Sequence, residues 1–195
     1  MEIRRCALRL DRLDDLKSIY YDAFPPQERI SLGLLLVNSL RRKGKFHLYL
    51  SQDELVGFAY TIEKAELYYI LMLAVDKKYR SQGIGRDILN DLSEQANGRE
   101  QLITIEPIEE GADNYQQRLR RLAFYERQGF KPLMHTYQED EEIYQIISTV
   151  KQPHLKTFSD IMTDFFEIRF SPQLTKKLGY FSKKSHKILE KESKS

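Results

Sequence analysis

A chain of 195 residues, 41 % of them hydrophobic, is long enough to bury one sizeable core. Its net charge of +2 excludes a chain governed by global attraction to nucleic acid or an anionic membrane. The single cysteine excludes an internal disulfide, and the four histidines are too scattered for a zinc site, so the expectation is a metal-free cytoplasmic protein.

The opening "MEIRRCALRL" is charged where a signal peptide needs an apolar core, and its alternation predicts a strand over 2–10 with Cys6 as a packed bystander. Residues 11–24 carry Leu13, Leu16, Ile19, Tyr20 and Phe24 at helical spacing, with Asp11 placed as the N-cap. Pro25-Pro26 ends that helix, and a second is expected from about Gln27 to Arg42, closing at Gly44. "KFHLYLS" and "ELVGFAYTIE" are strands joined at Gln52-Asp53. "ELYYILMLAV" (66–75) is apolar almost throughout, which predicts burial on both faces. A helix over 83–97 follows, then the strand "QLITIEP", a helix over 114–129 and a hairpin formed by "FKPLMHTYQ" and "EEIYQIISTV". The order β α α β β β α β α β β predicts a mixed sheet covered by helices, with parallel pairing where helix 83–97 crosses between strands.

Two of only nine glycines, Gly83 and Gly85, fall in "YRSQGIGRDIL" between the most apolar strand and a helix. The first amides of a helix have no internal acceptor, and the macrodipole makes that end positive. Glycines remove the Cβ atoms that would hold a bulky anion away, so this turn reads either as a main-chain cradle for a pyrophosphate or as a glycine turn that only packs a helix on a strand. Arg80 and Arg86 flank it and are able to add charge-assisted bonds. A P-loop is excluded because Arg86-Asp87 stands where Lys-Ser or Lys-Thr is required. A dinucleotide fingerprint is excluded because Ile88 stands where its third glycine belongs.

The pattern Arg80-x-x-Gly83-x-Gly85, with "LAV" at 73–75 and "AFYERQGF" at 123–130, resembles the GNAT superfamily of acetyl-coenzyme A dependent N-acetyltransferases. The match covers 1–150 in element order, leaving 151–195 as an extension. It implies an α/β fold with a centrally splayed mixed sheet and helices on both faces, and a fourth strand that bulges. It also implies that Leu73, Ala74 and Val75 hold the pantetheine arm through their main chain. The turn of Arg80, Ser81, Gln82, Gly83, Ile84, Gly85 and Arg86 would hold the pyrophosphate. Acetyl-CoA is then the co-substrate, and the acceptor a primary amine of a small molecule or peptide.

The resemblance assigns Tyr125 as general acid, and chemistry agrees, since a phenol with a pKa near 10 matches a departing alkyl thiolate. The base is open. Tyr69 stands where some family members carry a glutamate, so it lines the acceptor side, and Glu106 and Glu28 are the nearest candidate carboxylates. Arg118 stands where the family often has an asparagine near the coenzyme. Arg118 and Arg121 would grip phosphates, or pair with Glu109, Glu110 or an acidic substrate. Loss of the strand-four carboxylate leaves open a second class, a coenzyme-binding sensor without turnover.

In the extension, "FSDIMTDFFEIRF" (158–170) is too apolar for water and predicts a helix over about 156–170, packed on the domain or on a second subunit in a homodimer. Residues 171–195 hold seven lysines against two glutamates. They read as a solvated basic tail, with nucleic acid as a less favoured partner because aromatic interleaving is sparse.

Overall fold

In the computed structural model, which describes residues 2–139, 141–166 and, as backbone, 186–190, the chain divides into two units, Met1–Gln101 and Leu102–Ser195. The first is an antiparallel meander with three helices. Strand β1 (Arg4–Ala7) pairs with β2 (Lys45–Ser51), β2 with β3 (Glu54–Lys64), and β3 with β4 (Leu67–Val75). Gln52 and Asp53 join β2 to β3 with φ of 48° and 65°, the paired left-handed geometry of a tight hairpin turn.

Helix α1 (Leu13–Ala23) buries Leu16, Ile19 and Tyr20, and α2 (Leu32–Leu40) buries Leu34 and Leu35. Two helix starts differ from expectation. A 3-10 turn over Leu10–Arg12 precedes α1, so Asp11 lies inside that turn and does not cap; its carboxylate pairs with Arg9 at 2.8 Å. The second helix starts at Leu32 rather than near Gln27, because Pro26–Glu28 closes a separate 3-10 turn and Arg29 is extended. Helix α3 (Ile84–Ala96) turns Ile84, Ile88, Leu89, Leu92 and Ala96 inward and ends on Asn97 and Gly98, both with positive φ.

Strand β4 is buried on both faces from Leu67 to Ile70, as its composition predicts. Tyr60 then pairs with Met72 but Thr61 with Ile70, so Leu71 is an extra residue, a bulge in the fourth strand. Beyond the bulge, Met72 and Ala74 stay buried while Leu73 and Val75 are half-exposed. Gly57 makes the close approach of β3 there feasible. A Cβ at Gly57 would stand 2.7 Å from the Ala74 carbonyl oxygen.

In the second unit Leu102 to Ile105 of β5 (Glu100–Ile105) pair with β7 (Glu142–Ser148), which pairs in turn with β6 (Lys131–Glu139); all these pairings are antiparallel. The hairpin has a gap in register between Pro132 and Thr136. Gln145 fills it, its Nε2 donating to the carbonyls of Leu133 (3.0 Å) and Ile146 (2.9 Å). Helix α4 (Tyr115–Glu126) lies between β5 and β6 in the chain, and Gly129, with φ of 88°, turns the chain into β6.

Helix α5 (Leu155–Phe166) buries Phe158, Ile161, Met162, Phe165 and Phe166, and Phe158 meets Tyr137 of β6 edge-to-face at 5.3 Å. The apolar helix of the extension is therefore present, ending at Phe166. The rest of its expected span, 167–170, lies outside the described residues. The basic tail is not wholly a solvated segment, because β8 (His186–Glu190) pairs antiparallel with β6. Among the described residues no helix is long and apolar enough to cross a membrane. The fold is mixed α/β, as the element order predicts.

Candidate functional site

The turn between β4 and α3 has the backbone of an anion cradle. After β4, Asp76 caps a 3-10 turn by accepting from the Lys78 amide at 2.8 Å. Ser81 (φ 63°) and Gly83 (φ 86°, ψ −8°) are then both left-handed, with Gly83 at the N-cap of α3. The first backbone bond into α3 runs from the Asp87 amide to the Gly83 carbonyl, 3.1 Å. Ahead of it, the amides of Gln82, Gly83, Ile84, Gly85 and Arg86 make no comparable bond among the described residues. Five donors therefore gather at the positive end of a 13-residue helix.

Space is not what requires glycine at position 83. A Cβ there would meet only the Arg86 side chain, at 3.5 Å. The requirement is the left-handed backbone within the free chain, together with room for whatever the amides receive. The two flanking arginines are not alike. Arg86 folds onto its neighbour Asp87 at 2.9 Å and is largely exposed. Arg80 is anchored twice: its Nε donates to the Val75 carbonyl at 3.1 Å, and its Nη2 meets Asp22 at 2.9 Å.

The edge of β4 is prepared in a complementary way. The Asp76 amide donates to the Val56 carbonyl at 2.9 Å, so in the alternating ladder the pairs Val75–Gly57 and Leu73–Ala59 are the non-bonded ones. The peptide groups of Leu73 and Val75 therefore point off the edge of β4 that faces away from β3, as an arm pairing with this strand requires. One acceptor is already used, since the Val75 carbonyl takes the Arg80 bond. Tyr69 is fully buried in β4, and Glu28 is half-buried in its 3-10 turn.

In the second unit Tyr125 lies on α4 with 7 % of its surface exposed. Phe124 and Phe130 contact its ring edge-on, at 5.1 and 6.0 Å between centroids. Burial pushes its phenol above the ordinary value, and the charge of Arg121 one turn earlier opposes that rise. Its hydroxyl takes no hydrogen-bond partner among the described residues.

Glu106 lies just past β5 and is held from three sides. Arg118 meets it at 3.1 Å, Arg121 at 3.0 Å, and the Asn114 Nδ2 donates at 2.9 Å. Arg118 also donates to the Pro107 carbonyl at 2.8 Å and lies 3.7 Å from Glu109. Both arginines thus pair with acids of their own unit, Glu106 and, for Arg118, also Glu109. Glu106 joins the 106–114 loop to α4, its Oε1 shared by Arg118 and Asn114 and its Oε2 facing Arg121. Sequence reading missed Asp22 and Gly57; the only available signal was an isolated glycine inside a strand pattern.

Residues 42–132 match a family model described as an acetyltransferase (GNAT) domain. Over these residues the chain is similar to GNAT acetyltransferase domains. Such domains are acetyl-CoA dependent N-acyltransferases, and the expected fold class and family are borne out. No curated protein sequence matches the chain. Solved structures share the GNAT fold at low identity. A GNAT-family protein from Bacteroides thetaiotaomicron is 22 % identical, with a TM-score of 0.61 over 85 % of this chain and 97 % of that one. Arabidopsis thaliana Naa50, bound to the bisubstrate analogue CoA-Ac-MVNAL, is 19 % identical, with a TM-score of 0.59 over 77 % and 99 %. The PaiA N-acetyltransferase of Thermoplasma acidophilum, in complex with coenzyme A, is 18 % identical, with a TM-score of 0.53 over 75 % and 98 %.

Proposed function

We propose that this GNAT domain transfers an acetyl group from acetyl-CoA directly to a primary amine of a small molecule or peptide. The observation that carries the reading is the row of five unbonded amides from Gln82 to Arg86 behind left-handed Ser81 and Gly83. Main-chain donors at a helix N-terminus suit the diphosphate of coenzyme A, and the β4 edge at Leu73 suits the amides of its pantetheine arm. The coenzyme A complexes among structures of the same fold add support.

In the proposed reaction the neutral amine attacks the thioester carbonyl, forming the C–N bond and a tetrahedral oxyanion. The oxyanion collapses and breaks the C–S bond. Tyr125 gives its phenolic proton to the departing thiolate, and the ammonium proton passes to water. A phenol held neutral by burial is suited to that donation at neutral pH. No side-chain base is required, because a bound amine beside a thioester reacts with a large effective molarity. We take residues 1–150 as the acetyltransferase domain, 151–195 as an extension and the cytoplasm as its compartment.

A coenzyme-binding module without turnover is the second reading. It is favoured by Tyr69 in place of a β4 carboxylate and by the pairing of Glu106 with Arg118 and Arg121. Steady-state thiol release from acetyl-CoA separates the two, measured against free amino acids, peptides with free N-termini, polyamines and amino sugars. Amine-dependent release supports the enzyme. Tight coenzyme A binding with no release above hydrolysis for any amine supports the module.

A further inference from the structure

Asp22 closes the last turn of α1 and belongs to no part of the amide cradle, yet it reaches the residue that begins it. Its Oδ2 lies 2.9 Å from Arg80 Nη2 and its Oδ1 3.4 Å from Lys77 Nζ. The Arg80 Nε donates at the same time to the Val75 carbonyl, 3.1 Å away. A guanidinium is planar, so two bonds through Nε and Nη2 fix both its position and its plane, and Nη1 stays available. One anchor is the last carbonyl of β4, and the other is a carboxylate on a different helix.

Arg80 itself is extended (φ −62°, ψ 152°) and is followed by left-handed Ser81 and Gly83. A turn with two left-handed residues is costly to hold open without outside support, at about 1–2 kcal/mol for the non-glycine one. The half-exposed Arg80 and partly buried Asp22 supply such support from α1.

We infer that Asp22 is a positioning residue for coenzyme binding: it holds Arg80, and through Arg80 the 80–83 turn, so that a guanidinium N–H and the five amides face the diphosphate together. The inference rests on the coenzyme reading of the cradle. It also makes α1 part of the coenzyme site through a contact that neither glycine nor helix pattern reveals. The carboxylate would repel the diphosphate if left bare, but Arg80 and Lys77 cover its two oxygens. Its net effect is to orient a cation rather than to present an anion.

The test is a double-mutant cycle read by calorimetry with coenzyme A on the full chain. Asp22→Asn should weaken binding about threefold to tenfold, the range of a partly screened, charge-assisted contact. Arg80→Ala should weaken it by at least as much. Asp22→Asn in the Arg80→Ala background should add nothing, because Asp22 acts through Arg80. Asp22→Glu should recover part of the loss. Tighter binding by Asp22→Asn, an unchanged affinity, or fully additive losses would each overturn the inference. Melting curves separate a folding defect from a binding one, since the cycle's non-additivity does not arise from general destabilisation. If the wild-type chain binds no coenzyme A, the reading beneath the inference fails instead, and the two failures are distinct.

Discussion

Arg121 Nη1 lies 3.0 Å from the Glu106 Oε2, which joins the loop after β5 to the middle of α4 one turn before Tyr125. Arg118 takes the other carboxylate oxygen at 3.1 Å. Both arginines depend on Glu106 for charge compensation in a place where the carboxylate side chain is only 14 % exposed. Replacing Glu106 by Gln should lower stability by about 1–3 kcal/mol, the cost of leaving partly buried cations short of an acceptor. Urea denaturation at neutral pH checks the magnitude. The same change leaves the Arg121 charge unopposed beside Tyr125, and that charge lowers the phenol. The alkaline limb of the pH–rate profile should therefore move to lower pH. A complete loss of the base limb with stability intact would instead make Glu106 a base.

Tyr125→Phe separates chemistry from packing. The hydroxyl has no hydrogen-bond partner among the described residues, so its loss should change the melting temperature little, while Phe124 and Phe130 keep the ring in place. Turnover should fall about a hundredfold if the phenol protonates the leaving thiolate, with coenzyme A affinity within about twofold of wild type. Undiminished turnover would leave Tyr125 as an aromatic of the helix face.

Gly83 offers two effects that differ in kind. In the free chain an Ala side chain there has room, since its Cβ would lie 3.5 Å from the Arg86 guanidinium. The φ of 86° nonetheless charges an L-residue about 1–2 kcal/mol, which denaturation should detect. Gly83→Val should cost more stability and also weaken coenzyme A binding at least tenfold, because its side chain occupies the mouth of the amide row. Equal affinity for coenzyme A in a folded Val variant would count against the cradle.

His47 makes the fold sensitive to acid. It is 1 % exposed on β2, with Nε2 2.8 Å from the Thr61 hydroxyl oxygen and no partner for Nδ1 among the described residues. Burial first, then the positive charges of Lys45 and Arg5, push its pKa down to about 3. The unfolded chain takes up a proton near pH 6.5 that the folded chain refuses until about pH 3. Its contribution is therefore intact above pH 6.5 and is lost as pH falls, at about 1.4 kcal/mol per unit below that point. Between pH 7 and pH 5 the loss from this group should be about 2 kcal/mol. His47→Gln should flatten that part of the stability profile, whatever its own stability at pH 7. An unchanged slope would place the acid sensitivity elsewhere.

The amino-acid sequence by itself determined the element order and the place of the cradle. Apolar spacing at 3.6 or 2 residues marks a helix or strand wherever one face is buried, and glycine between an apolar strand and a helix marks a left-handed turn with open amides. The left-handed turn at Gly83 was legible on that ground, whereas Tyr125 stands out only through the resemblance of its motif. So was α5, because its five buried apolar side chains have no other use in water. Helix starts were less legible. Asp11 has the chemistry of a cap, but an ion pair with Arg9 and a 3-10 turn claimed it, and local propensity carries no information about such competition.

Tertiary structure alone decided the charged residues. Whether Arg118 and Arg121 meet phosphate or Glu106, and whether Arg80 stands free or is held by Asp22 from 58 positions away, depends on which long side chains folding brings within 3 Å. A long, flexible cation has many reachable partners, and sequence spacing limits them only within a single helix or turn. The resemblance implies a bulge in the fourth strand, but its place at Leu71 is set by the register of β3 against β4.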